Sequence, residues 1–166
     1  MKQVIIICMA LSISYFSFSQ DYDSIPPYQN DSLAPAVSIL QTDSTWFNKQ
    51  ALPEHTPLVI VYFSPTCHHC QLAAHEFSEK MKKMKDVFFV WLSYYSVPEL
   101  KTFNEEYHLT KFKNVRLGRD TKYYIAPFYK LRYTPFMAVY GKDGKLLATY
   151  EQGTDPKTIM EVIERK

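Results

Sequence analysis

Continuous apolar runs alternate with amphipathic segments along the middle of the chain. Residues 58–63 (Leu-Val-Ile-Val-Tyr-Phe) are all apolar or aromatic, which predicts a strand buried on both faces. Apolar residues then recur every three or four positions from Cys70 to Met84, so we expect an amphipathic helix that begins close to Cys67. A second apolar run, 87–94, predicts the next buried strand.

Capping and turn residues mark the elements that follow. Ser96 and Glu99 have the spacing of a capping box and predict a second helix. Two strand-like runs, 136–140 and 146–150, are joined through Asp-Gly, a dipeptide that favours a tight hairpin turn. The remaining segments predict a helix over 45–50, a strand over 115–117, a helix over 123–131, and a closing helix with Asp155 as its cap and Pro156 in its first position.

The order of these elements, βαβα followed by ββα, predicts an α/β fold. Its centre would be a mixed β-sheet flanked by helices on both faces. Strands joined through a helix are expected to run parallel, and strands joined by a tight turn antiparallel.

The N-terminal residues have the pattern of a secretory signal peptide. Lys2 is followed by the apolar run 4–18, and small residues precede an expected cleavage site after Ser19. An uncleaved anchor is the alternative, but the run is about fifteen residues long, and a membrane-spanning helix needs about 20. We therefore predict that 1–19 is removed and that the mature protein is exported, to the periplasm or another extracytoplasmic compartment, with no stable membrane insertion.

Length and charge restrict the remaining chain to few classes of function. A domain over 37–166 would follow a flexible extension over 20–36, which contains several Pro, Asp and Ser residues. The 19 basic and 17 acidic residues give a formal net charge of +2, which provides no basic surface for nucleic acid. We therefore expect no nucleic-acid partner.

The cysteine count draws attention to a single pair. Three cysteines are too few for a disulfide-rich scaffold, and Cys8 would leave with the signal peptide. Cys67 and Cys70 would then remain alone in an oxidising compartment, where disulfides form and persist.

The spacing of the two cysteines predicts different roles for them. Cys67 lies at the expected start of the helix, where free backbone N–H groups and the helix dipole favour an anion. Cys70 lies one turn deeper, on the apolar stripe. Because the thiolate is the reactive form, we expect Cys67 to be the nucleophile and Cys70 the resolving thiol.

With these features the chain resembles the thioredoxin-like superfamily, in particular its exported thiol-disulfide oxidoreductases of the thioredoxin-like redoxin group. The resemblance rests on Cys-His-His-Cys after a buried strand, on Thr134-Pro135 before the hairpin, and on the Lys-Asp-Gly-Lys turn at 142–145. It implies a thioredoxin-like fold and a cis Pro135 that packs beside the two cysteines. It also implies that the backbone of Thr134 binds an extended substrate peptide, and we expect Thr66 and His68 to contact substrate too.

The chain departs from thioredoxins at three positions. Thr66 stands where a Trp is common, His68-His69 replaces Gly-Pro, and Val61 replaces a buried acid in the strand. The proton-relay role of that acid is therefore left without an assigned residue.

His69 bears on the direction of electron flow. A histidine beside Cys67 would stabilise its thiolate and hence the reduced form of the pair. We therefore predict a reduction potential above that of thioredoxin, which is about −270 mV.

Three alternatives to thiol-disulfide exchange are open. The pair could be a static structural disulfide, although so short a loop restricts the unfolded chain little. With His68, His69 or His75 it could hold copper or zinc, making the protein a metal carrier. The fold could also serve as a redox-inactive binding module. The leading hypothesis needs no cofactor and two kinds of partner: protein or peptide substrates with thiols or disulfides, and an unidentified redox partner.

Overall fold

The structure is a computed structural model that describes residues 25–30 and 32–165. A seven-stranded mixed sheet forms its centre, in the strand order β2-β1-β5-β4-β3-β6-β7. The strands are β1 Ser38–Gln41, β2 Trp46–Asn48, β3 Leu58–Tyr62, β4 Phe88–Ser93, β5 Val115–Arg119, β6 Phe136–Tyr140 and β7 Leu146–Tyr150. The α-helices are α1 Pro27–Asn30, α2 His68–Lys80, α3 Val97–Tyr107, α4 Ile125–Tyr129 and α5 Pro156–Glu164. Three 3₁₀ turns complete the elements: Lys49–Ala51, Met81–Met84 and Leu109–Lys111.

The predicted mixture of strand directions is confirmed. Strands β3, β4 and β5 are parallel neighbours, with Ile60 opposite Val90 and Trp91 opposite Leu117. Strand β6 runs antiparallel to β3, and β7 runs antiparallel to β6. The carboxyl ends of β3 and β4 therefore lie side by side, which brings the segments after them together.

The predicted helices α2, α3 and α5 are also confirmed. Ser96 and Glu99 form the expected capping box, with the Ser96 backbone N–H donating to Glu99 Oε2 at 2.9 Å. The Asp155 carboxylate accepts hydrogen bonds from the backbone N–H of Lys157 at 2.9 Å and of Thr158 at 3.1 Å. Two shorter elements differ in extent from the prediction: β5 runs two residues further, to Arg119, and α4 is confined to Ile125–Tyr129.

The prediction of a helix over 45–50 is wrong. Trp46–Asn48 is a strand that pairs with β1, and a 3₁₀ turn follows at Lys49–Ala51. Phe47 is buried whereas its two neighbours are exposed, which is the period-two pattern of an edge strand. Pairing with β1 also supplies backbone hydrogen bonds that an isolated single helical turn would lack.

Two apolar layers cover the two faces of the sheet. On one face, Phe63, Trp91 and Leu117 pack with residues of α2, α3 and α5, and Cys70 belongs to this layer. On the other face, Tyr62 packs with α4. Helices thus lie on both faces, as predicted, and the cysteine pair belongs to the face covered by α2.

The described part of the predicted N-terminal extension lies against the sheet. Leu33 forms an isolated bridge with Lys145, and Leu146 N–H donates to Ser32 O at 2.7 Å. Ala34 and Val37 are buried. The predicted signal segment 1–19, which includes Cys8, lies outside the described residues.

Candidate active site

A short loop after β3 delivers the two cysteines. Cys67 is the N-cap of α2 and has extended backbone angles, so the helix begins where the sequence predicts. Cys67 N–H donates to Ser64 O at 3.1 Å, and the Gln71 side chain donates to Pro65 O at 2.9 Å. These bonds hold the loop against the first turn of the helix and fix the position of Cys67.

Cys67 is partly exposed and is surrounded by hydrogen-bond donors. Burial, the largest single effect, would raise its pKa, and hydrogen bonds from the thiol and backbone N–H of Cys70 act against it. The Thr134 side chain and the backbone N–H of His69 act in the same direction, and the net result is a lowered pKa. In the protonated state the Cys67 thiol donates to Thr134 O at 3.3 Å. The environment of Cys67 therefore favours its thiolate at neutral pH more than water does.

Cys70 has the opposite environment. Its side chain is fully buried, and burial raises the pKa of its thiol to about 12. Its sulfur accepts a hydrogen bond from Ser64 N–H at 3.5 Å. Both cysteines are free thiols in the structure. The pair thus consists of one accessible, acidic thiol and one buried thiol that keeps its proton.

The segment before β6 closes the site from the other side. The Thr134–Pro135 peptide bond is cis, and the buried Pro135 follows the carbonyl group that contacts Cys67. Gly153, between β7 and α5, has a φ of +74°, and a Cβ there would lie 2.8 Å from Pro135 Cγ. Gly153 is therefore required for the close approach of these two loops.

A shallow groove of about 280 Å³ is lined by His69, the residue before Cys70, and by Pro135. It separates the first turns of α2 from the loop that follows β7. Its other lining residues include Leu72, Glu76 and Gln152.

Comparisons with known proteins give structural relatives only. No family model matches the chain, and no curated protein matches it. Among solved structures, a secreted Mycobacterium tuberculosis disulfide oxidoreductase homologous to E. coli DsbE is 21% identical with a TM-score of 0.63, covering 78% of this chain and 93% of that one. MTB dsbF is 18% identical with a TM-score of 0.67 over 86% and 98% of the two chains. An exposed lipoprotein thioredoxin of Streptococcus pneumoniae is 15% identical with a TM-score of 0.64 over 80% and 100%. The chain has a thioredoxin-like fold.

In this thioredoxin-like domain, both histidines between the two cysteines are exposed. The ring centroids of His68 and His69 are 6.3 Å apart. The contact of His69 with Cys67 is made by its backbone N–H. An effect of the imidazole of His69 on the Cys67 thiolate remains a prediction.

A cluster of hydroxyl groups that sequence reasoning missed lies next to Cys67. Ser64 Oγ is 3.0 Å from Thr66 Oγ1, which in turn is 3.2 Å from Tyr95 OH. Hydrogen bonds from Ser64, Thr66 and Tyr94 lower the pKa of Tyr95. The signal in the sequence is the Tyr94-Tyr95 pair directly after the second buried strand, because parallel neighbours end at the same edge of a sheet.

The thioredoxin-like domain holds its one buried acid, among the described residues, on the wrong face to serve the pair. Val61 is fully buried in the layer that contains Cys70. Asp120 is buried at the end of β5, where its carboxylate accepts a hydrogen bond from Ile125 N–H at 2.8 Å. That bond ties it to α4 and to the opposite face of the sheet, so Asp120 does not replace the missing acid.

The geometry around the cysteines gives no support to a metal site. Within 25–30 and 32–165, no group of three or more His, Cys, Asp or Glu side chains is placed to hold a metal ion. His75 instead lies 3.7 Å from Glu79 on the exposed side of α2. No observation in the described part of the chain favours the metal-carrier alternative.

Proposed function

We propose that this protein is a thiol-disulfide oxidoreductase that exchanges disulfides with polypeptide substrates through Cys67 and Cys70. The observation that carries the proposal is the difference between the two thiols. Cys67 is accessible and has a lowered pKa, whereas burial raises the pKa of Cys70 to about 12. A static disulfide needs no such difference, but a nucleophile and its resolving partner do.

The exchange proceeds in two steps. The Cys67 thiolate attacks one sulfur of a substrate disulfide, forming a mixed disulfide and releasing the other substrate sulfur as a thiolate, which takes up a proton. Cys70 then gives up its proton and attacks the Cys67 sulfur, forming the Cys67–Cys70 disulfide and releasing the second substrate thiol. Two electrons pass from the protein to the substrate, and the reverse sequence oxidises a substrate dithiol.

Release of the Cys70 proton is assisted by formation of the mixed disulfide. The negative charge of the Cys67 thiolate helps to raise the pKa of Cys70. That charge is lost when Cys67 enters a mixed disulfide, so Cys70 becomes more acidic at the stage at which it must attack.

Substrate binding is assigned to the residues around Cys67. The backbone of Thr134 would pair with an extended substrate segment in the manner of an added strand. Thr66 and His68 are exposed on either side of Cys67 and would contact the same segment. The groove lined by Pro135 offers space for a neighbouring substrate side chain.

The proposed place of action is outside the cytoplasm. The signal-like segment 1–19 supports export, and the structural relatives include one protein described as secreted and one described as exposed. In the described residues no helix is long and apolar enough to cross a membrane. An extracytoplasmic redox partner would restore the starting state of the pair, and His69 motivates a potential above about −270 mV.

Trapping of mixed disulfides tests the proposal. In the Cys70→Ser variant the attack that releases the substrate is lost, so we expect mixed disulfides through Cys67 to accumulate on non-reducing gels. Cys67→Ser is the matched control and should trap none. A reversed pattern would contradict the roles of the two cysteines, and an absence of exchange in the native protein would contradict the activity. Titration against glutathione redox buffers measures the potential, and a value at or below about −270 mV would contradict the role of His69.

A further inference from the structure

Three tyrosine rings form a ladder that begins at the residue before Cys67. The Tyr95 hydroxyl contacts the Thr66 side chain at 3.2 Å. The ring centroids of Tyr95 and Tyr94 are 4.6 Å apart, and those of Tyr94 and Tyr123 are 6.4 Å apart. We refer to Tyr94, Tyr95 and Tyr123 as the tyrosine ladder.

Two rings of the tyrosine ladder, those of Tyr94 and Tyr123, are exposed. Tyr94 is 44% exposed and Tyr123 is 53% exposed, whereas Tyr62, Tyr129 and Tyr140 are buried in the core. A group of exposed rings on one surface, next to a reactive side chain, is characteristic of an interaction site. Burial in the core therefore does not explain why the rings of Tyr94 and Tyr123 lie together.

The charges around the tyrosine ladder balance. Glu99 acts on Tyr94 electrostatically, and Arg119 donates a hydrogen bond to Tyr123 OH at 3.3 Å and acts on Glu99. Charged groups of both signs at the rings give the surface no strong preference for a ligand of one charge. Contact with the ring faces is then the main source of selectivity, and aromatic side chains make the most favourable contacts of this kind.

The dimensions of the tyrosine ladder suit a peptide bound at Cys67. The distances of 4.6 and 6.4 Å between successive ring centroids place the third ring at most about 11 Å from the first, a length that about three residues of extended chain cover. Because the Tyr95 hydroxyl contacts the residue next to Cys67, a substrate whose cysteine sulfur reaches Cys67 can place a side chain a few residues away over the rings.

We propose that the tyrosine ladder is a docking surface for polypeptide disulfides that carry an aromatic side chain about three residues from the reacting cysteine. This inference rests on the proposed thiol-disulfide exchange at Cys67 and specifies the substrate class of that exchange. Stacking of one aromatic side chain adds a preference of about three- to tenfold over an aliphatic side chain of similar size.

Kinetics with matched peptides test the tyrosine ladder. Each peptide has one cysteine, held as a mixed disulfide with glutathione, and either Phe or Leu three residues away. One Phe/Leu pair places this residue before the cysteine and a second pair places it after. Stopped-flow measurement gives the rate constant for reaction with the reduced protein, and glutathione disulfide, which lacks a flanking side chain, provides the reference rate.

We expect the native protein to prefer Phe over Leu by about three- to tenfold in at least one pair. Tyr94→Ala should reduce that preference to below about twofold, and Tyr94→Phe, which keeps the ring, should retain it. Tyr124→Ala is the matched control, because Tyr124 is also 44% exposed but packs on Phe128 instead of the ladder. The Phe-over-Leu preference of Tyr124→Ala should equal that of the native protein. Thermal unfolding monitored by circular dichroism verifies that each variant is folded.

The outcomes separate this inference from the proposed function. If the protein reacts with every disulfide but shows no preference for Phe, the docking role of the tyrosine ladder is overturned and the oxidoreductase activity stands. A lack of reaction even with glutathione disulfide overturns the activity itself. If Tyr94→Ala instead changes the sedimentation of the protein alone and no Phe preference exists, the ladder is a contact between two copies, which also overturns the inference.

Discussion

Two cysteines three positions apart have different acidities because their surroundings differ. Cys67 lies at the start of α2, within reach of backbone N–H groups and of the Cys70 thiol. Cys70 lies one turn deeper and is fully buried, and Ser64 N–H in the loop before the helix donates to its sulfur. Desolvation is the largest single effect at both thiols, but at Cys67 the hydrogen bonds together outweigh it.

Removal of the Cys70 thiol should raise the pKa of Cys67. Cys70→Ala deletes one of the donors that lower this pKa but keeps the backbone N–H groups, so the pKa should move part of the way toward the ordinary value of 9.0. The pH dependence of Cys67 alkylation by iodoacetamide measures the change. Cys70→Ser keeps a hydroxyl donor and should remain closer to the native midpoint. An unchanged midpoint in Cys70→Ala would show that the thiol donor has no effect.

The different surroundings of the two cysteines could be predicted from the sequence because they follow from the position of each within one helix, and the roles assigned to them remain a proposal. The contacts of Thr66 could not be predicted from the sequence in this way. Its hydroxyl group meets Tyr95, which is 29 positions away in the chain and becomes a neighbour only through the parallel pairing of β3 and β4. No pattern within a single segment carries that information, and the signal in the sequence is the Tyr94-Tyr95 pair after the second buried strand.

Elements with a strong period or a cap could be predicted, and short edge elements could not. The stripe of α2 and the caps Ser96 and Asp155 each act within a few residues along the chain. In contrast, β2 has three residues, of which one is buried, and it is stabilised by pairing with β1. A pattern of that length fits a helical turn and a strand equally well.

The loop between β7 and α5 should tolerate no side chain at Gly153. Gly153 and Gly144 have φ values of +74° and +75°, so an Ala at either position meets a similar backbone strain. A Cβ at Gly144 meets nothing within 4 Å, whereas at Gly153 it meets Pro135 Cγ at 2.8 Å. We expect Gly144→Ala to lower the free energy of unfolding by about 1 kcal/mol and Gly153→Ala by about 1–3 kcal/mol more.

Function separates the same two variants. Displacement of Pro135 in Gly153→Ala should also slow exchange with glutathione disulfide, while Gly144→Ala should react at the native rate. Urea unfolding and stopped-flow kinetics provide the two measurements. Equal losses of stability in the two variants would argue against a close contact between Gly153 and Pro135.

At the scale of the whole molecule, the sheet separates two layers with different tasks. The layer that contains Val61, Cys70 and Trp91 is apolar where thioredoxins place an acid, and it holds one half of the reactive pair. The opposite layer packs α4 and the segment before β1. Deprotonation of Cys70 therefore puts a charge into an apolar layer. The free-energy cost of this charge lowers the free energy of unfolding of the whole domain.

This coupling predicts how the stability of the reduced protein changes with pH. Cys67 has a lower pKa when folded, so its contribution to stability is fully present above its unfolded value, near 9.0, and is lost as pH falls through its folded pKa. Cys70 has the opposite sign, because the unfolded chain loses this proton near pH 9 and the folded chain keeps it up to about 12. Between these two pKa values of Cys70, the free energy of unfolding of the reduced protein falls by at most about 1.4 kcal/mol per pH unit.

The oxidised protein has neither titrating thiol, so other groups largely cancel when the two forms are compared. We define the excess as the free energy of unfolding of the oxidised form minus that of the reduced form, and we expect it to fall as pH rises toward about 9 and to rise above that pH. Urea unfolding of both forms between about pH 6 and 10.5 measures the difference. Reduced Cys70→Ala should lack the loss above pH 9 relative to the reduced native protein. If the excess changed in one direction through pH 9, Cys70 would not keep its proton in the folded state, and the buried thiol could not act as the late, proton-releasing partner of Cys67.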